Sequence, residues 1–107
     1  VSLTSPLADA IEVLDARGKD HGDFVELHAR IAQLWSAYLQ TSVAPHQVAA
    51  LMALLKIARS EFNAANDDNY VDLAGYAAIY ASLLKIDRLG ASRRGDERDL
   101  DVEDPER

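Results

Sequence analysis

Between Met52 and Tyr76 the chain reads MALLKIARSEFNAANDDNYVDLAGY, with Lys56, Arg59, Asp68 and Asp72 set among residues patterned for a helical interior. Lys56 and Arg59 are three apart and share one face of a helix; Asp68 and Asp72, four apart, share one face of the next. The polar run Asn63 to Asp67 joins the two segments as a loop. An ionised side chain buried without a partner costs several kcal/mol or loses its charge. The stretch therefore demands helices that either pair these charges with one another or offer them to an outside ligand.

The rest of the chain follows the same helical grammar. Thr4, Ser5 and Pro6 form a helix start, Leu7, Ile11 and Leu14 follow at helical spacing, and Gly18 predicts the stop. The segment RGKDHG from Arg17 to Gly22 reads as a charged turn. Asp23 and Glu26 then have the spacing of a capping box for a second helix, which should end near Leu39. Its predicted apolar stripe is Phe24, Leu27, Ile31, Leu34 and Tyr38, with Trp35 alongside.

Pro45 opens a third helix, apolar almost all round from Val48 to Leu55 and so expected to be central and buried. Asp67, Asp68 and Asn69 suit the opening of a fourth, in which Asp72 lies one turn inside and has no terminal amide to cap. Ala74, Gly75, Ala77, Ala78 and Ala81 make that helix small on its surface, which predicts close packing or room for a ligand. Tyr70, Tyr76 and Tyr80 add bulk with polar tips, and Leu84 and Leu89 close the pattern before Gly90.

The expectation is an all-α four-helix domain over residues 1–89 and a disordered, charged C-terminal tail over 90–107. At 107 residues and 49% hydrophobic content there is material for one core. The tail carries four arginines against seven acids, so it accounts for only part of the net charge of −7. That balance argues against nucleic-acid binding, which relies on many cations neutralising phosphates. The absence of cysteine excludes a thiolate metal site. No apolar run reaches bilayer length and no secretion signal is visible, so a cytoplasmic protein without membrane contact is expected.

No glycine-rich phosphate loop, nucleophile elbow or zinc-type histidine pair occurs, and His21, His28 and His46 are scattered, with solvent exposure the expectation for each. What remains is carboxylates and cations on helices, a chemistry suited to magnesium or manganese and to phosphate oxygens. Two structural readings stand beside it. Asp68 and Glu26 are equally well explained as helix-start residues, and Lys56 and Arg59 could pair with Asp72 and Asp68 to fix helix register.

Three segments, RGKDHGDFVELHARIAQLWSAYL, HQVAALMALLKIARSEFN and DDNYVDLAGYAAIYASLL, together resemble the phage- and actinobacterium-type relatives of MazG-like all-α nucleoside triphosphate pyrophosphohydrolases. The likeness covers about residues 14 to 86 and is most specific at HGDF, LWSAYL, LLKIAR and DNYVDLAGYAA. It implies a MazG-like bundle that forms a homodimer or homotetramer, binds Mg2+ or Mn2+, and cleaves a nucleoside triphosphate to monophosphate and pyrophosphate. Of the family's acids Asp72 carries over, with Asp68 in place of a missing one, and together with the charge pattern the expected catalytic residues are Asp72, Asp68 and Lys56. Lys56, Arg59, Asn69 and Tyr76 become substrate-binding, and Asp72, Asp68 and Glu26 metal ligands. The family's Glu-Glu-x-x-Glu motif is missing and its Glu-x-x-Asp survives as Asn69-x-x-Asp72. A non-catalytic module of the same fold, holding a nucleotide without hydrolysing it, is the alternative.

Overall fold

Backbone groups in this chain find their hydrogen bonds within helices. The computed structural model describes residues 4–21 and 23–93, and among them four helices and no strand: α1 (Ser5–His21), α2 (Phe24–Leu39), α3 (Pro45–Phe62) and α4 (Asp68–Arg93). The all-helical expectation holds at this level. No helix among the described residues is long and apolar enough to cross a membrane.

The helix starts follow local chemistry. Asp23 precedes α2 in extended backbone and accepts the Val25 amide at 2.9 Å, a cap one residue short of the Glu26 amide that a capping box would use. Pro45 opens α3, and the Gln47 side chain reaches back to accept the Ala44 amide at 2.8 Å. Ahead of α4 the capping oxygen comes from Asn66, which accepts the Asp68 amide at 3.1 Å, and Asp68 itself sits in the first turn where negative charge is favoured.

Turns set the helix order in space. After α2, Gln40 adopts the left-handed conformation with φ 56°, and Ser36 clasps the turn by accepting the Val43 amide at 2.9 Å and donating to the Val43 carbonyl at 3.3 Å. Between α3 and α4, buried Asn69 donates to the Asn63 carbonyl at 3.3 Å and the Tyr70 hydroxyl to Ala64 at 2.7 Å. These bonds fold the loop tightly. Consequently α3 and α4 form an antiparallel hairpin, with α1 packed on α4 and α2 on α3.

Three expectations about extent change. Helix α1 does not stop at Gly18 but runs to His21, so the predicted turn from Arg17 is helical. Helix α4 likewise continues through Gly90 to Arg93, which moves the boundary predicted at residue 89; the rest of the predicted tail, 94–107, lies outside the described residues. The cause is the same in both: a glycine inside a helix costs only about 1 kcal/mol, and neighbouring residues of ordinary propensity absorb that.

The core is built from small side chains. Ala49, Ile79 and Leu83 form its buried centre, with Leu14, Val25 and Tyr76 packed against it. Helix α3 is buried on one side only: Val48 and Ala49 are wholly enclosed, whereas Leu51, Leu54, Leu55 and Ile57 are 41% to 58% exposed. The expected all-round burial of α3 is thus corrected. The stripe assigned to α2 is also rotated, since the buried positions are His28 and Ala32 while Leu27, Leu34 and Tyr38 face outward. Four helices of this length cannot cover every apolar side chain they carry.

Gly75 of α4 is buried and faces Leu14 of α1. A methyl group built there would lie 3.7 Å from Leu14 Cδ2, ordinary van der Waals contact. Gly75→Ala should therefore raise stability by about 0.5–1 kcal/mol through helix propensity. Urea unfolding of the two proteins checks this, and a lower midpoint for the alanine variant would show the α1–α4 contact to be tighter than described.

Candidate functional site

The antiparallel hairpin fixes which charges can meet. Lys56 lies in the second half of α3 and Asp72 just past the first turn of α4, so hairpin geometry sets them side by side. Lys56 Nζ is 3.0 Å from Asp72 Oδ2. The other carboxylate oxygen, Oδ1, accepts from Arg17 of α1 at 3.3 Å. One carboxylate is thus held by two cations from two different helices.

Burial gives this triad its weight. The Lys56 and Asp72 side chains are 12% and 18% exposed and Arg17 is 38% exposed. Lys56 and Asp72 have given up most of their water and depend on each other, while Arg17 keeps donors for solvent or a ligand. Two positive charges against one negative leave the cluster with a surplus of one cation.

Asp72, Gly75, Tyr76 and Ile79 lie at positions i, i+3, i+4 and i+7 of α4 and share one face. Above that face runs α1, with Leu14 against Gly75 and Arg17 one turn on. The Arg17 guanidinium carbon stands 5.7 Å from the Tyr76 ring centroid, within cation–π range. The pairing with Asp72 and the stacking on Tyr76 together orient Arg17.

Arg17 also lines an open-sided cavity of about 320 Å³ between three helices. Leu14 and Gly18 of α1, Phe24, Leu27 and His28 of α2, and Tyr76, Ala78, Ile79 and Ser82 of α4 complete its wall. The lining is mostly apolar, with a few polar groups, the composition typical of small-molecule sites. His28, expected in solvent, is instead 4% exposed, and its Nδ1 lies 2.9 Å from the Phe24 carbonyl. Packing of α1, α2 and α4 around it leaves little of it on the surface.

The other residues singled out by sequence are dispersed. Asp68 and Arg59 are exposed and do not join the triad. Glu26 is exposed on α2, and Asn69 is buried with its amide nitrogen committed to the loop. His46 is partly buried, its ring 6.0 Å from that of Tyr80. Of the expected substrate-binding set, Lys56 and Tyr76 stand beside Arg17; the cavity is lined by Arg17, Phe24, His28 and Ser82 as well, none of them in that set. Leu14, Arg17 and Gly18 share a helix face, and that spacing is the signal that points to Arg17 once Gly18 is read through.

A resident divalent ion needs several oxygen donors at one place. Both oxygens of Asp72 already face cations, and no group of three His, Cys, Asp or Glu side chains among the described residues could hold a metal. Among the described residues, Asp72, Asp68 and Glu26 are not gathered into one such group.

A family model described as a domain of unknown function, DUF6378, matches residues 6–84. The Gene 55 protein of Mycobacterium phage L5 is 46% identical over 77 residues, covering 70% of this chain and 49% of the relative. The Gene 55 protein of Mycobacterium phage D29 is 35% identical over 80 residues, covering 75% and 53%. The chain spans about half the length of these curated relatives, and no solved structure matches it. With the family match running from the first turn of α1 to beyond the middle of α4, the chain belongs to the DUF6378 family.

Proposed function

We propose that this chain binds a nucleotide or a nucleotide-like anion without hydrolysing it, its ring in the three-helix cavity and its phosphate on Arg17. The observation that carries the reading is the position of Arg17, which faces the Asp72 carboxylate, stacks on Tyr76 and lines the cavity at once. A space of about 320 Å³ accommodates a base and part of its sugar, and leaves charged phosphates at the half-exposed guanidinium. Arg17 supplies a planar fork suited to phosphate oxygens, and Lys56, one helix away, adds positive charge. Phe24 and Tyr76 offer aromatic faces for the ring. A role of this kind places the chain in the cytoplasm, where free nucleotides are.

The hydrolase reading uses the same place. It rests on the MazG-like kinship inferred from LLKIAR and DNYVDLAGYAA, and Mg2+ or Mn2+ would then arrive with the phosphates of the nucleotide rather than on a set of clustered carboxylates. Asp72 with Lys56 is the part of that machinery the fold brings together. Its dispersed acids are the reason binding without turnover ranks first.

Calorimetric titration of the full chain with the common ribo- and deoxynucleoside triphosphates, with Mg2+ or Mn2+ present, separates the readings. The expected result is saturable binding, ligand recovered intact, and roughly tenfold weaker affinity for Arg17→Gln. No binding to any of them contradicts the proposal, and released pyrophosphate assigns the site to the hydrolase reading.

Self-association, as a homodimer or homotetramer, belongs to the same proposal. Its support is the row of large apolar side chains left outside: Leu34, Tyr38, Leu39, Leu51, Leu54 and Phe62 are 45% to 92% exposed. Sedimentation equilibrium should give a dimer or tetramer mass, and Leu54→Glu should shift it toward monomer. A monomer at high micromolar concentration contradicts this part.

A further inference from the structure

His28 is a polar side chain placed where an apolar one would pack more simply. It is 4% exposed, lines the cavity, and its Nδ1 stands 2.9 Å from the carbonyl oxygen of Phe24. A carbonyl only accepts, so the proton lies on Nδ1, and in the neutral ring Nε2 is then an acceptor with a free lone pair. Nε2 has no hydrogen-bond partner among the described residues. A buried acceptor left unsatisfied is costly, and enclosed polar atoms are normally matched by a partner.

The cavity therefore contains one fixed, unmatched acceptor in a mostly apolar wall. An N–H group on a ligand ring would satisfy it, whereas a ring edge presenting only acceptors would meet it lone pair to lone pair. The other side chains lining this part of the cavity, Phe24, Leu27, Ala78 and Ile79, offer no competing hydrogen bond. Ser82 is a rotatable hydroxyl and adapts to either partner.

We propose that His28 Nε2 reads the ligand by accepting a hydrogen bond from an N–H group on the edge of its base, the exocyclic amino group in adenine and cytosine. This deepens the nucleotide-binding reading and rests on it. The Phe24 carbonyl is the positioning partner: it fixes the tautomer and the ring angle, and α2 supplies both at a spacing of one turn.

Two measurements on the full chain test the assignment. In the first, nitrogen-15 spectra of the ligand-free protein report the His28 tautomer. Protonation on Nδ1 is expected, and protonation on Nε2 alone overturns the proposal whatever the ligand. In the second, titration compares adenosine and cytidine triphosphates with the purine and pyrimidin-2-one riboside triphosphates, in which hydrogen replaces the amino group and the ring carries no N–H. The amino-bearing ligands should bind the wild-type chain at least about tenfold more tightly, because losing the donor leaves Nε2 unpaired. His28→Phe should erase that difference, and His28→Gln, which keeps a carbonyl acceptor, should retain part of it. Equal binding of each pair by the wild-type chain overturns the role of His28 and leaves nucleotide binding standing. Binding of neither member overturns both.

Discussion

A carboxylate in the interior turn of a helix has no amide to cap and little water to reach, so its neighbours must answer for its charge. In this chain they are Lys56 at 3.0 Å and Arg17 at 3.3 Å, one from α3 and one from α1. Asp72 thereby ties three helices at one level. Removing one member of a buried ion pair is far more damaging than replacing both, because the survivor stays desolvated and unpaired. The Arg17–Asp72 contact lies where α1 passes α4, beside Leu14 against Gly75 and Arg17 over Tyr76.

The cavity is a consequence of that crossing. With α1 held to α4 by the ion triad and α2 carried on α3, the space between α1, α2 and α4 is left open and walled by Phe24, Leu27, Tyr76 and Ile79. Its polar fittings are few and differ in kind. Arg17 is half exposed and retains donors, which suits an anion; His28 is buried and fixed by its bond to Phe24, which suits an uncharged donor. An ionic end and an uncharged end in one site are the ground on which the nucleotide proposal stands.

Much of the scaffold was legible from residues close in sequence. Pro45 at the start of α3, Asp23 before α2 and the end of α2 at Leu39 follow from local hydrogen bonding, and local hydrogen bonding decides them. Lys56 and Asp72 stood out because charge amid apolar spacing needs a long-range explanation. Arg17 does not, since Gly18 predicts a helix stop and the partner of Arg17 lies 55 residues away. His28 and the true inward face of α2 were hidden for another reason: α2 carries more apolar residues than one face can hold, so hydrophobicity alone does not say which side the core takes. The burial of His28 and Ala32, with Val25 partly buried beside the core, is settled by tertiary packing.

The account stands or falls on whether Asp72 and Lys56 act as one unit. Asp72→Ala and Lys56→Ala, made singly and together and compared by urea unfolding at neutral pH, measure this directly. Each single change should cost roughly 2–3 kcal/mol, and the double variant should be about 1 kcal/mol or more better than their sum. Additive costs would mean that the two charges do not feel each other, and that something else orders the helices around the cavity.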